Sequence, residues 1–477
     1  MNIEEKYEKV LKIFKELSRV PRNSTKEEKI ADYICQFAKE RGLEYRKDEL
    51  YNVIVKKGAT LGYENKKTIL FQAHIDMVCE KTLDSVHDFE NDPIEIIETE
   101  DTYTAKDTTL GADDGIGVAF LLLLLDDADI PHPNIECLFT TQEEIGMDGA
   151  RNFNYDGLKA SYLINLDGEE ENTAIVGCAG GIRMRYTNNY KLEKIGEDEE
   201  LYTLKITGLF GGHSGVDIDK GRINSNLLAA TFLDKLTDIQ IASFVGGNKD
   251  NAIANATEVT FTTKDKEASQ KLQEFFESIE VTEADKNLKM ELEIQEKIDE
   301  SIKVMSKEDS DNLIRLFLNL KQNVIAMSKD VEGLVETSGN IGIAKIHDGK
   351  ALICEALRSS IDSDKVEVMN HNNSIAKKLG FEILGEGDYP GWKYNPNSQL
   401  EKIYVNSYKK SHNGEEPIVC AIHAGVECGM IYEKMPHLEM ISLGPDVVDV
   451  HTVNEKLYIK SCKTLLETLM YMIEELD

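Results

Sequence analysis

Four short runs in the first third of the chain, YNVIVKK, KTILFQAHI, NIECLFTTQ and SYLINLDG, are apolar or β-branched. Each is too short for a helix and reads as a strand. Between two of them, DGIGVAFLLLLLDD is apolar almost throughout and begins with an aspartate, the pattern of a buried helix. Strands that alternate with helices imply a largely parallel sheet covered on both faces, and so an α/β fold. Two helices precede the strands: an amphipathic one running to Val20 and broken at Pro21, and a second opened by Ser24 and Thr25 and closed by Gly42.

From residue 184 to 380 the texture changes. Alternating strands such as LYTLKITGLF and ATEVTFTTK are interleaved with charged amphipathic helices, SNLLAATFLDKL and KEASQKLQEFFESI among them. The chain then returns to turn-rich segments that carry histidines, GDYPGWKYNPNS, AIHAGVECG and LGPDVVDVHTVNE, and closes on the helix NEKLYIKSCKTLLETLMYMIEEL. A chain of 477 residues exceeds the usual limit of one core, so two domains are expected. The simplest organisation is an insertion, with residues 1–183 and 381–477 forming one domain and 184–380 the other.

Charge narrows the partners. With 54 Lys+Arg against 87 Asp+Glu the net charge is −33, and no basic stripe stands out that could neutralise nucleic-acid phosphates or an anionic membrane surface. The longest apolar stretch, residues 115–125, is far short of the roughly 18–20 residues of a bilayer span. The N-terminus has no apolar leader segment, and a cytoplasmic protein is expected. Eight cysteines are scattered with no CxxC, as for free thiols in a reducing compartment, so a metal here would be held by histidine and carboxylate.

Five places offer such groups. In QAHIDMVCEK, His74 and Asp76 are two residues apart at a strand end and share a face, which suits a metal ligand with an orienting carboxylate, or equally a turn-stabilising pair. In TLGADDGIGVA, Asp113 and Asp114 enter a helix, and either alone reads best as an N-cap. Glu143 and Glu144 follow an apolar strand in FTTQEEIGMDGA, Asp167 ends another in LINLDGEEE, and His451 lies in VVDVHTVNE. Each is weak by itself. Together they bring acids and imidazoles to the edge where open α/β sheets bind ligands. Two divalent ions that share a bridging carboxylate need about five such ligands, plus a free carboxylate to take a proton from water.

At this point the sequence resembles the co-catalytic zinc dipeptidases, the aminoacyl-histidine (β-alanyl-histidine, carnosinase-like) dipeptidase family. HIDMV, GADDGIG, TTQEEIGMDGA, LINLDGEE, GLFGGHSGVDIDKGRINSN, GGNKDNAIANAT, EALRSS, YPGWKYNPNS and AIHAGVECG follow in the family's order over essentially the whole chain. The resemblance implies a di-zinc aminopeptidase/phosphorylase-like catalytic domain interrupted by a ferredoxin-like α+β lid, and a homodimer formed through that lid. It implies that His74 and Asp167 bind one ion, that Glu144 and His451 bind the other, and that Asp113 bridges them. Glu143 matches the general base and Asp76 the aspartate behind His74. His213 in GGHS matches a carbonyl-polarising histidine, often supplied to the partner subunit's site. Asn255 and Arg358 match substrate-binding positions, with Arg358 on the terminal carboxylate. His423 and Glu427 are candidates for the substrate's amino end, although a structural turn explains HAGVECG equally well.

Two positions depart from the pattern: members of the family often carry Asn where this chain has Asp114, and Pro where it has Val453. The activity implied is hydrolysis of short unblocked peptides, chiefly dipeptides, with two zinc ions, or manganese or cobalt in their place. An N-acyl amino acid deacylase or desuccinylase uses the same ligands and is the neighbouring alternative. A non-catalytic metal-dependent peptide-binding protein is a third reading, against which an unliganded Glu143 argues.

Overall fold

The computed structural model describes residues 2–196, 199–295 and 301–476. The chain divides into two compact units. The first comprises Met1–Cys178, Trp392–Ala421 and Val426–Asp477, and the second Ala179–Gly391 with Ile422–Gly425.

The first unit is built on an eight-stranded sheet. In spatial order its strands are Glu44–Lys47, Val53–Lys57, Ile135–Thr140, Ile69–His74, Tyr162–Asn165, Glu439–Ser442, Thr173–Cys178 and Ile418–Ile422. The central four run parallel, while the first two join as an antiparallel hairpin at one side. Every residue of Ile69–His74, Ile135–Thr140 and Tyr162–Asn165 is buried, so these strands are mostly apolar on both faces rather than alternating with solvent-facing residues. The helix Ala112–Asp126 is buried from Asp114 to Leu125. It supplies Phe120 and a run of leucines to a core that also holds Phe14, Phe71 and Phe139. Each such side chain contributes about 1.5–3 kcal/mol by leaving water.

Local expectations are adjusted at three helix ends. The first helix is Ile3–Leu17 and stops short of Val20, where the Ser18 hydroxyl turns back to donate to Phe14 O at 2.9 Å. The second begins at Glu28, not at Ser24 and Thr25: Thr25 adopts φ 72° and the Ser24 hydroxyl donates to Asp76 Oδ2 at 2.8 Å. The final helix is Ile459–Glu475, because Lys456–Tyr458 pairs antiparallel with Thr102–Ala105 and so lies extended.

The second unit is a nine-stranded sheet. In order it runs Lys289–Ile294, Glu200–Thr207, Thr257–Thr263, Gln240–Gly246, Val335–His347, Lys350–Ser359, Gly180–Asn189 and Glu382–Tyr389, with Asn323–Met327 added on Val335–His347. These pairings are antiparallel. Helices Ser225–Leu233, Ala268–Glu277, Lys307–Asn319 and Asp362–Lys378 bury apolar faces in its separate core, where Phe244 and Phe317 stack with centroids 4.9 Å apart. That core also encloses one carboxyl group. Glu355 is completely buried and accepts from Tyr186 OH at 2.5 Å, from Asn372 Nδ2 at 2.8 Å and from the Gln322 amide.

Burial pushes Glu355 up to about 7, against the pull of these three donors. A carboxyl whose folded pKa lies above its unfolded value favours the protonated folded state. Its stability contribution is therefore full in acid and is lost as pH rises through the folded value. Between about pH 5 and about pH 8, Glu355→Gln should lose less thermal stability than wild type, by roughly 2–3 kcal/mol. Melting curves at the two pH values check this, and identical losses in the two proteins would clear Glu355 as the source.

Candidate active site

Parallel strands of the first unit finish at a common edge. His74 is the last residue of Ile69–His74, Glu143 and Glu144 lie just beyond Ile135–Thr140, and Asp167 lies just beyond Tyr162–Asn165. Asp113 comes from the head of the buried helix, where its φ/ψ of −79°/110° is not helical. His451 comes from a loop with positive φ at both Asp449 and His451, 54° and 61°.

Asp113 faces two ways. Its Oδ1 lies 2.9 Å from His74 Nε2, and its Oδ2 lies 3.0 Å from His451 Nε2. Around Oδ1, His74 Nε2 is also 3.3 Å from Asp167 Oδ1. Around Oδ2, His451 Nε2 is also 2.9 Å from Glu144 Oε2. One carboxylate thus joins two imidazole and carboxylate groups, the form a bridging ligand requires. Behind His74, Asp76 Oδ1 lies 3.5 Å from Nδ1, which leaves Nε2 to face the centre. Asp76 is itself fixed by the Ser24 hydroxyl and by the backbone N–H groups of Glu143 at 3.1 Å and Glu144 at 3.3 Å.

The neighbouring aspartates divide their work. Asp114 accepts from Gly117 N and from His74 N, both at 3.1 Å, and so caps the helix beyond its kinked start. Burial, with Asp167 nearby, raises Asp114 well above the ordinary carboxyl range.

Electrostatics follow from the surplus of acids. Burial would raise Asp113, but the hydrogen bonds from His451 and His74 hold it below its usual value. Burial lifts Asp167 to about 6, with Asp113 and Glu144 adding to the rise and His74 opposing it. Glu143 is raised well above the usual value by burial, and Asp167, Glu427 and Glu144 add to this against the pull of His74. The hydrogen bonds to Asp113 and Glu144 push His451 up to about 11. Burial disfavours a charge on His74, yet Asp167, Asp113 and Asp76 outweigh it and raise its pKa.

The residues fit divalent ions by this test. His74, Asp113 and Glu144 offer donor atoms within 4.8 Å of one another, as do His74, Asp114 and Asp167. Imidazole and carboxylate donors suit zinc, manganese or cobalt.

Beneath the ligands runs a polar belt that sequence reasoning missed. Glu427, completely buried, accepts from Gln72 Nε2 at 2.6 Å and Thr140 Oγ1 at 2.7 Å. Gln72 Oε1 accepts from Asn165 Nδ2 at 2.6 Å, and Asn165 Oδ1 accepts from the Ser442 hydroxyl. Burial pushes Glu427 up to about 8. The available signal was spacing: Gln72 and Asn165 each stand two residues before a candidate ligand, His74 and Asp167, on the same strand face.

Four of the sequence candidates belong to the second unit. His213 Nδ1 accepts from Gly215 N and Val216 N, both at 3.2 Å, so the neutral ring carries its proton on Nε2. Burial and Arg358 lower its pKa. Arg358 is 8% exposed; its NH1 donates to the neutral Tyr389 hydroxyl at 2.9 Å and its Nε is buried without a partner. His423 Nε2 lies 2.7 Å from Ser338 Oγ, and burial together with Arg358 drives its pKa down to about 3. Asn255 is exposed.

Two imidazole and carboxylate groups joined through one aspartate at the carboxyl edge of a parallel sheet are the donor arrangement of a dinuclear metallohydrolase. Residues 70–475 match peptidase family M20/M25/M40. The cytosol non-specific dipeptidase of Escherichia coli (strain K12) is 36% identical over 475 residues, 97% of this chain and 96% of its own. The crystal structure of aminoacylhistidine dipeptidase from Vibrio alginolyticus is similar with a TM-score of 0.93 at 35% identity, covering 98% of this chain and 96% of that one. Aminopeptidase PepT from Bacillus cereus shares the fold at a TM-score of 0.56 and 17% identity, with 98% of each chain covered. The chain belongs to the M20 peptidase family and is a hydrolase of that family. No helix among the described residues is long and apolar enough to cross a membrane.

Chelator-stripped protein should gain thermal stability when zinc, manganese or cobalt is added, by about 2.7 kcal/mol at a hundredfold excess over the dissociation constant. Asp113→Ala should abolish that gain. Melting scans with and without metal measure both, and an equal gain in the variant would remove Asp113 from the ligand set.

Proposed function

We propose that this chain hydrolyses the peptide bond of short unblocked peptides, chiefly dipeptides, with Xaa-His peptides such as β-alanyl-histidine among them. The observation that carries the reading is the two-faced Asp113 between His74 and His451, with Glu143 just beyond the strand Ile135–Thr140 at the same edge and in no ion pair with either imidazole among the described residues. A metal store needs ligands but no spare carboxylate. Full-length similarity to two proteins named as dipeptidases supports the substrate class.

Two divalent ions, one on His74 and Asp167, one on Glu144 and His451, and both on Asp113, would polarise the scissile carbonyl and acidify a water. Glu143 takes a proton from that water as it attacks, then returns it to the leaving amine. Burial raises Glu143, which strengthens it as a proton acceptor. His213 offers Nε2–H to the carbonyl oxygen as negative charge develops there. Arg358, a buried guanidinium joined to a neutral hydroxyl, takes the peptide's terminal carboxylate. Asn255 contacts the substrate and His423 serves its amino end, whereas Glu427, completely buried in the polar belt, is enclosed away from it. Zinc in both sites and a homodimer formed through the second unit complete the reading; elemental analysis and sedimentation test them.

Amino-acid release from unblocked and N-acylated dipeptides, with and without added metal, tests the activity. Metal-dependent cleavage of the unblocked set is expected, whereas cleavage confined to N-acyl substrates would assign the chain to deacylation. Glu143→Ala should keep its metal and lose turnover by about 10²–10⁴-fold. Near-normal turnover of the repurified variant would refute the base assignment. Arg358→Ala should raise KM for free dipeptides far more than for dipeptide amides, and a uniform rise would reject the carboxylate contact.

A further inference from the structure

Glu455 lies four residues beyond His451, in a part of the sequence that offers no sign of a role. The structure buries it, 2% exposed, and directs its carboxylate at the turn that presents Asp113. Oε2 accepts from Leu110 N at 2.8 Å and Gly111 N at 2.9 Å, and Oε1 accepts from Ala112 N at 2.7 Å and Asp113 N at 3.3 Å. Four successive backbone donors converge on one side chain. They form an anion-binding nest at the helix entrance, filled from within the protein.

A buried arginine closes the other side of the same turn. Arg22 is 3% exposed, and its guanidinium donates through NH1 to Asp76 O at 3.1 Å and through NH2 to Gly111 O. Two glycines of GADDGIG, Gly111 and Gly115, leave room for this contact. A Cβ on Gly111 would lie 2.6 Å from Arg22 NH2, and one on Gly115 would meet the same nitrogen. Gly111 also adopts φ 68°, in the left-handed region that favours glycine. The Glu455 carboxylate is the largest favourable charge acting on Arg22, against the cost of burying the guanidinium. Arg22 and Glu455 thus tie together three segments: the one behind His74 and Asp76, the turn before Asp113, and the one that bears His451.

We infer that Glu455 and Arg22 are positioning residues that fix the turn 110–113 so that the two oxygens of Asp113 face His74 and His451 separately. Neither residue touches an ion or the substrate. Their effect is on whether the second ion, on the Glu144 and His451 side, binds in register with the first. The inference rests on the dinuclear reading given above.

Glu455→Gln keeps the shape but places an amide N–H₂ against backbone N–H groups. Cobalt titration of the chelator-stripped protein, followed by its d–d absorption, reads the two sites without any turnover. Wild type should bind two ions. Glu455→Gln should bind the first normally and the second at least about tenfold more weakly, with an altered band and a fall in kcat at little changed KM. Two ions bound with wild-type affinity and spectrum would overturn the inference, even if the variant melted at a lower temperature. If Glu455→Gln does not fold, Arg22→Lys, which cannot reach both carbonyls as a fork, should show the same selective loss of the second ion. Unchanged cobalt binding in that variant would likewise overturn it. Failure of wild type to bind two ions would instead refute the dinuclear reading itself, so the two failures are distinct.

Discussion

Mutual repulsion among buried carboxylates is the constraint from which this structure is best understood. Asp113, Glu143, Glu144 and Asp167 meet at one sheet edge, with two imidazoles between them. Such a cluster is costly unless cations answer it. The fold contains the repulsion by anchoring the groups around these acids. Backbone N–H groups fix Asp76 and Asp114, and the helix turn that bears Asp113 is gripped from behind by Glu455 and Arg22. What the anchors leave uncompensated is the charge that faces inward, which is the charge a pair of divalent ions would neutralise.

Parallel topology makes that meeting possible. Parallel neighbours point their carboxyl ends the same way, so residues just past Ile69–His74, Ile135–Thr140 and Tyr162–Asn165 converge without long loops. The belt of Gln72, Thr140, Asn165, Ser442 and Glu427 lies one strand-face step below, and its members hydrogen-bond one another across neighbouring strands, with Glu427 Oε1 left unpaired. Rotamers fixed this way hold donor atoms in place before any ion arrives, which lowers the cost of ordering the site on binding. The second unit carries a different chemistry, a neutral imidazole and a guanidinium whose Nε is buried without a partner, on an antiparallel scaffold with its own core.

Much of this was legible in the chain itself. Apolar runs announced the central strands, because residues buried on both faces have no reason to alternate, and the motif order carried the family. Helix starts were less legible. Ser24 has the chemistry of an N-cap, but Asp76 competes for its hydroxyl, and a contact 52 residues away is invisible to local rules. The pair Asp113 and Asp114 could not be divided by sequence, since two adjacent carboxylates are chemically alike and only the backbone path decides which one faces the centre.

The sequence by itself determined the donor inventory and its chemistry: histidines and carboxylates at strand ends, a spare glutamate, and cysteines in no metal-binding pattern. It did so because side-chain chemistry and strand periodicity are local properties. Tertiary structure alone decided that Asp113 lies between His74 and His451 while Asp114 accepts from Gly117 N and His74 N, that Glu427 is a buried member of a polar belt, and that Glu455 and Arg22 grip the turn behind the site. Those outcomes depend on which distant backbone donors each carboxylate meets, and that is set by how the strands and the buried helix pack, not by any stretch of residues read alone.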